Sequence, residues 1–170
     1  MFNKINALRF ATLGAVAVAA FASQPAFAQT ATDNLAVSAT VTENCVFSTT
    51  AVAFGNVDVT SGANVDATGG LSVTCTSGTA WSATAGAGAG TGATNSVRKM
   101  TSGANLLNYA LYTNGARTTL WGDDATNGAA FTGTGSGSAQ ASVIYGRVPS
   151  GQSSLPIGSY ADTVAVTLTY

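Results

Sequence analysis

Apolar and polar residues alternate with a period of two along most of this chain. Leu35, Val37, Ala39 and Val41 are separated by Ala36, Ser38 and Thr40, and Leu71 and Val73 by Ser72 just before Thr74-Cys75. Successive side chains of an extended strand point to opposite faces, so this pattern predicts strands with one face in a core. Leu107, Tyr109 and Leu111 repeat it and are followed by Asn114-Gly115. That dipeptide tolerates positive φ at both positions, which predicts a type I′ hairpin returning through Leu120-Trp121. Residues 143–148 read as a further strand stopped by Pro149. The last run places Tyr160, Asp162, Val164, Val166, Leu168 and Tyr170 on one face, with mostly small residues or Thr between them. Short strands, Gly-rich turns and no convincing 3.6-residue period predict an all-β sandwich.

Composition narrows the chemistry. The chain has 170 residues, enough for one domain, of which 46% are apolar and 8% charged. Six Lys and Arg against seven Asp and Glu leave no basic field for nucleic acid. The absence of His removes Ser–His–Asp and Cys–His catalysis and every imidazole metal site. No acidic spacing resembles a calcium loop, and neither a metal nor a cofactor is expected. The Gly-rich stretches 85–92 and 133–137 lack the G-K-[ST] of a P-loop and a full GxGxxG, so they are predicted as flexible loops. Ser96-Val97-Arg98-Lys99 matches S-x-x-K without its companion motifs. Asp123-Asp124 are neighbours in a turn and cannot flank a glycosidic bond from opposing faces. Catalysis is therefore not expected.

Residues 1–28 read as a secretory leader. Lys4 and Arg9 supply the positive region, 11–22 the apolar one, and Ala26-Phe27-Ala28 the small-x-small cleavage signal. The apolar run is too short to cross a bilayer comfortably and no second one follows. From Gln29 onward four cations face seven acids, a net charge of −3. In the oxidising compartment this implies, the two cysteines Cys45 and Cys75 are expected to form a disulfide.

The two ends of the exported chain carry the functional expectation. An immunoglobulin-like sandwich that stops one strand early, at a run ending on Tyr170, exposes an apolar groove and unpaired backbone. Residues 29–42 form an alternating strand upstream of Cys45 that is able to leave its own domain. A groove lacking a strand and a strand lacking a partner are complementary, and strand addition between neighbours satisfies both. Used head to tail, the pair builds an open filament.

The chain resembles the spore-coat-protein-U-like pilins of archaic (Csu-type) chaperone–usher pili. The resemblance is carried by Cys45 with Phe54-Gly55, by Gly70-Leu71-Ser72-Val73-Thr74-Cys75, and by Arg98-Lys99-Met100. It continues through Leu107-Asn108-Tyr109-Ala110-Leu111-Tyr112, Leu120-Trp121-Gly122, Gly146-Arg147-Val148-Pro149 and the whole run 158–170. It implies an incomplete immunoglobulin-like β-sandwich, residues 43–170, completed by donor-strand exchange. A periplasmic chaperone would fill the groove until an outer-membrane usher replaces it with the next subunit's strand, giving a pilus at the cell surface that supports adhesion and biofilm formation. The donor would lie in 29–42, with Leu35, Val37, Ala39 and Val41 as plugs. The acceptor edge would hold Tyr160, Val164, Val166, Leu168 and Tyr170. Arg98, Arg147 and Tyr160 read as fold residues, Arg pairing with Asp and Tyr anchoring a corner. Two other readings stand beside this one: a secreted spore-coat or envelope protein, and a monomeric carbohydrate-binding module stacking sugar on an exposed Trp121.

Overall fold

A computed structural model describes residues 27–123 and 128–170. The leader expected over 1–28 lies, apart from its last two residues, outside the described residues, as does Asp124. The chain divides after Ala39 into two compact units, each taken by itself. In the first, residues 27–39 carry no helix or strand and all are exposed. The half-buried strand expected over 35–41 is not formed, and Leu35, Val37 and Val41 are more than four-fifths exposed. Alternation specifies which face a strand would bury, but a strand forms only against a neighbour that accepts its backbone hydrogen bonds.

The second unit, Thr40–Tyr170, holds eight strands among the described residues: β1 Cys45–Thr50, β2 Val65–Cys75, β3 Ala80–Ala85, β4 Arg98–Ser102, β5 Asn105–Tyr112, β6 Phe131–Thr134, β7 Gln140–Val148 and β8 Val166–Thr169. All pair antiparallel, in a five-stranded sheet ordered β1-β2-β7-β5-β4 and a three-stranded sheet ordered β6-β3-β8. Alternation selects the inner faces. Leu71, Val73 and Cys75 of β2, Leu107, Tyr109 and Leu111 of β5, and Ile144 and Val148 of β7 are buried. Trp81, Ala83 and Ala85 of β3 join the same core. Each large apolar side chain buried in this way contributes about 1.5–3 kcal/mol. This is an immunoglobulin-like all-β sandwich.

The register places Cys45 directly opposite Cys75, and the two are joined as a disulfide across a sequence separation of 30. It ties edge strand β1 to the sheet, and closing a loop of that size stabilises the fold by about 3–4 kcal/mol. Replacing both cysteines by Ser is expected to lose that amount, read as a lowered urea midpoint with a somewhat steeper slope, because the unlinked chain unfolds to a more expanded state.

Three local expectations are corrected. The return after β5 is not a two-residue turn at Asn114-Gly115; it spans Thr113 to Thr119, and the left-handed residue is Arg117, with φ 55°. Asn114 instead caps this wider loop, its Oδ1 accepting from Thr118 N and Thr119 N at 3.1 Å each. The Gly-rich stretches are close-packed contacts as well as loops. Gly133 lies within β6, where an added Cβ would stand 2.6 Å from the Trp81 ring. Trp121 is not exposed at all. It is 1% accessible, donates from Nε1 to the Ala83 carbonyl at 3.0 Å, and packs edge-on against Phe131. A buried indole cannot stack on sugar, which removes the feature that motivated a carbohydrate-binding module.

Candidate functional site: an open apolar groove

The sandwich is not closed along one side. After β1 the chain continues through Val52, Phe54, Val57 and Val59, all half-buried with exposed residues between them, yet in no ladder among the described residues. Across from them runs 160–166, leading into β8. Between these two lips lies a groove of about 900 Å³. Its floor is the core residues Leu107, Tyr109, Leu111, Trp121 and Ile144, with the half-buried Met100 beside them. The apolar residues that pack on the core without being buried are largely its walls, among them Val52, Phe54, Tyr160, Val164 and Val166. On the far side of β8 from β3, no strand pairs among the described residues. Apolar walls left half in water and an unpaired strand edge beside them are the two features that an added strand requires.

Of the residues assigned to the acceptor edge, Tyr160, Val164 and Val166 line the groove. Leu168 packs half-buried on the core outside the groove lining, and Tyr170 is 53% exposed. The lip formed by Val52, Phe54, Val57 and Val59 was not anticipated as part of the site. Val52 and Phe54, and Val57 and Val59, are each two residues apart, but the three-residue step across Gly55-Asn56 breaks the period that marks a strand. Ile157, fully exposed, stands at the rim on a loop braced by the Tyr160 hydroxyl donating to Pro156 O at 2.9 Å.

Two buried polar groups hold the floor in place. Arg98 is 0% accessible, and its guanidinium donates to four backbone carbonyls: Gly86 at 2.9 Å, Asn95 at 2.9 Å, Ala85 at 3.1 Å and Trp121 at 2.7 Å. It thereby fixes the Trp121 backbone to the loop that follows β3. Burial pushes its pKa below the usual arginine value, opposed by Tyr109, Asp123 and Asp162. Of the two arginines expected to pair with Asp, Arg147 does so, bidentate to Asp66 at 2.7 and 2.9 Å on the outer face, whereas Arg98 bonds carbonyls. The second group is the Tyr109 hydroxyl, which donates to Asp162 Oδ2 at 2.7 Å. Asp162 Oδ1 also accepts from Ala89 N and Thr163 N, both at 2.8 Å.

Burial, reinforced by the bond to Asp162, drives the Tyr109 pKa far above the ordinary tyrosine value of about 10. The folded state therefore keeps a proton that the unfolded chain releases in base. This contribution is complete below about pH 10 and is lost as pH rises above it. Tyr109→Phe is expected to flatten the fall in urea midpoint above pH 10, as measured against wild type at matched pH.

A two-sheet sandwich with a strand-sized apolar groove along one side defines the class of incomplete immunoglobulin-like domains. Residues 31–167 match the Spore Coat Protein U domain, and the chain belongs to that family. Protein U of Myxococcus xanthus is 37% identical over 84 residues, covering 48% of this chain and 45% of that protein. A similar solved chain occurs in the crystal structure of the CsuC-CsuE chaperone–tip adhesion subunit pre-assembly complex from the archaic chaperone–usher Csu pili of Acinetobacter baumannii. It matches with a TM-score of 0.56 at 20% identity, over 77% of this chain and 40% of that one. At that identity the likeness is one of fold. The chain spans less than half the length of either relative.

Proposed function

We propose that this protein is a non-catalytic structural subunit of a surface fibre of the pilus type, polymerising head to tail by strand donation. The observation that carries this reading is the groove of about 900 Å³ beside the open edge of β8. The same chain holds an alternating segment, 35–41, whose large apolar residues are left in water. Residues 29–42 of one copy would enter the groove of the next, with Leu35, Val37, Ala39 and Val41 facing the floor. Before assembly a periplasmic chaperone would occupy the groove, and an outer-membrane usher would exchange its strand for that of the incoming subunit. The likeness to a chain crystallised in a chaperone–subunit complex supports the chaperone step. Adhesion and biofilm formation follow as properties of the assembled fibre.

The match to Protein U favours a second reading, in which the same polymer is laid down as a spore-coat or envelope layer. Electron microscopy of cells expressing the protein with a cognate chaperone and usher separates the two. Filaments extending from the surface, lost in Val164→Asp, support the pilus; a surface layer without filaments supports the coat.

A further inference from the structure

We propose that Asp162 sets the register in which residues 35–41 of a second copy enter the groove antiparallel to its wall, by admitting beside its carboxylate only the smallest plug, Ala39. The inference rests on the strand-donation reading above.

The groove wall and the donor segment are both periodic in two, and each has one exceptional member. On the wall, Tyr160, Asp162, Val164 and Val166 are three apolar or aromatic residues and one acid. On the donor, Leu35, Val37, Ala39 and Val41 are three large residues and one small one. In an antiparallel pair, residues directly opposite each other share a face of the sheet. The antiparallel arrangement that seats all four plugs on all four wall positions sets Leu35 against Val166, Val37 against Val164, Ala39 against Asp162 and Val41 against Tyr160. A parallel strand over the same four positions brings Val37 level with Asp162 instead. An antiparallel strand slipped by two residues puts Val37 or Val41 there.

Asp162 discriminates among these because it is a half-buried carboxylate in an otherwise apolar wall. Its three protein donors, from Ala89, Thr163 and Tyr109, all belong to the domain itself. A carboxylate has about four acceptor sites, so at least one is left for water from the groove. An isopropyl group laid over it removes that water and offers no donor in exchange. A methyl group leaves the water room. Asp162 cannot withdraw: Gly88, at φ +89°, lies so close behind it that an added Cβ would clash with the carboxylate.

Cysteine pairs in the full-length protein test the register. Ala165 O accepts from Gly86 N at 2.9 Å, so Ala165 is bonded towards β3. Against an added strand it takes a non-hydrogen-bonded position, with Cα atoms about 4.5 Å apart, within disulfide reach. Ala36→Cys with Ala165→Cys is expected to give a ladder of multimers that survives boiling and collapses with reductant. Ala36→Cys with Cys at Ala161 (parallel entry), Thr163 or Thr167 (slips by two) is expected to stay unlinked. A covalent ladder in one of these instead overturns the register and leaves strand donation standing. No covalent ladder in any pair, while wild type still forms multimers on unboiled gels, overturns the register as well. If wild type forms none either, strand donation itself falls. Independently, Ala39→Leu is expected to weaken multimer formation at least tenfold and Ala36→Leu to leave it unchanged; equal effects would overturn the proposal.

Discussion

Replacing Arg98 with Leu is expected to cost about 4 kcal/mol or more of stability, a large share of what a single domain has. The guanidinium is the hydrogen-bond partner of four carbonyls, on Ala85, Gly86, Asn95 and Trp121, at a residue with no solvent access. Losing one partner leaves a buried acceptor bare at about 1–3 kcal/mol each, against a whole-domain stability of about 5–15 kcal/mol. An opposing effect exists, since leucine removes the cost of burying a charge. That relief does not win here, because the four acceptors are backbone and remain whatever side chain replaces the arginine. Arg98→Lys is expected to fall between the two, an ammonium being unable to span four carbonyls with the reach of a guanidinium. Urea unfolding of both variants beside wild type measures the order, and equal stability of Arg98→Leu and wild type would refute it.

A single charge in the donor segment is expected to abolish assembly without touching the fold. Val37 is 86% exposed, so Val37→Asp should leave domain stability within about 0.5 kcal/mol of wild type. In the assembled state the same carboxylate would sit among apolar walls without a partner. A penalty of about 3 kcal/mol or more translates to at least a hundredfold loss of multimers. Ser38→Asp, one residue along and facing water, is expected to assemble nearly normally. The contrast between neighbours tests the face directly, because a one-residue slip exchanges every inward and outward position. Multimer yields on unboiled gels, with Ser38→Asp lost and Val37→Asp retained, would place the plugs on the opposite face.

The parts of the fold legible in the sequence are those where apolar residues of distinct size alternate with polar ones. Leu71 and Val73 in β2, Leu107 to Leu111 in β5, and Val166 and Leu168 in β8 all take the expected faces. Strand β3 was not legible, because its inward residues after Trp81 are alanines, which carry little hydropathic contrast with the Ser and Thr between them. The Asn114-Gly115 turn and Trp121 misled for a related reason. Each was judged by its immediate neighbours, whereas the Asn114 side chain caps a loop four and five residues on, and Trp121 is buried by contacts with Ala83 and Phe131. Half of the groove was visible in the 160–168 alternation. The other lip, Val52 to Val59, was not legible, because the step across Gly55-Asn56 breaks its period and it pairs with no strand among the described residues.

In the strand-donation reading proposed above, residues 29–42 of one copy fill the groove of another. The direct test compares full-length protein with a variant lacking 29–42, both exported to the periplasm, on unboiled gels and by size-exclusion chromatography. A synthetic peptide of residues 29–42 is then added to the truncated form. A ladder of SDS-resistant multimers is expected from the full-length protein alone. The truncated domain is expected to take up one peptide per copy with a raised Tm. A ladder that persists without 29–42, or two stable monomers indifferent to the peptide, would contradict that reading.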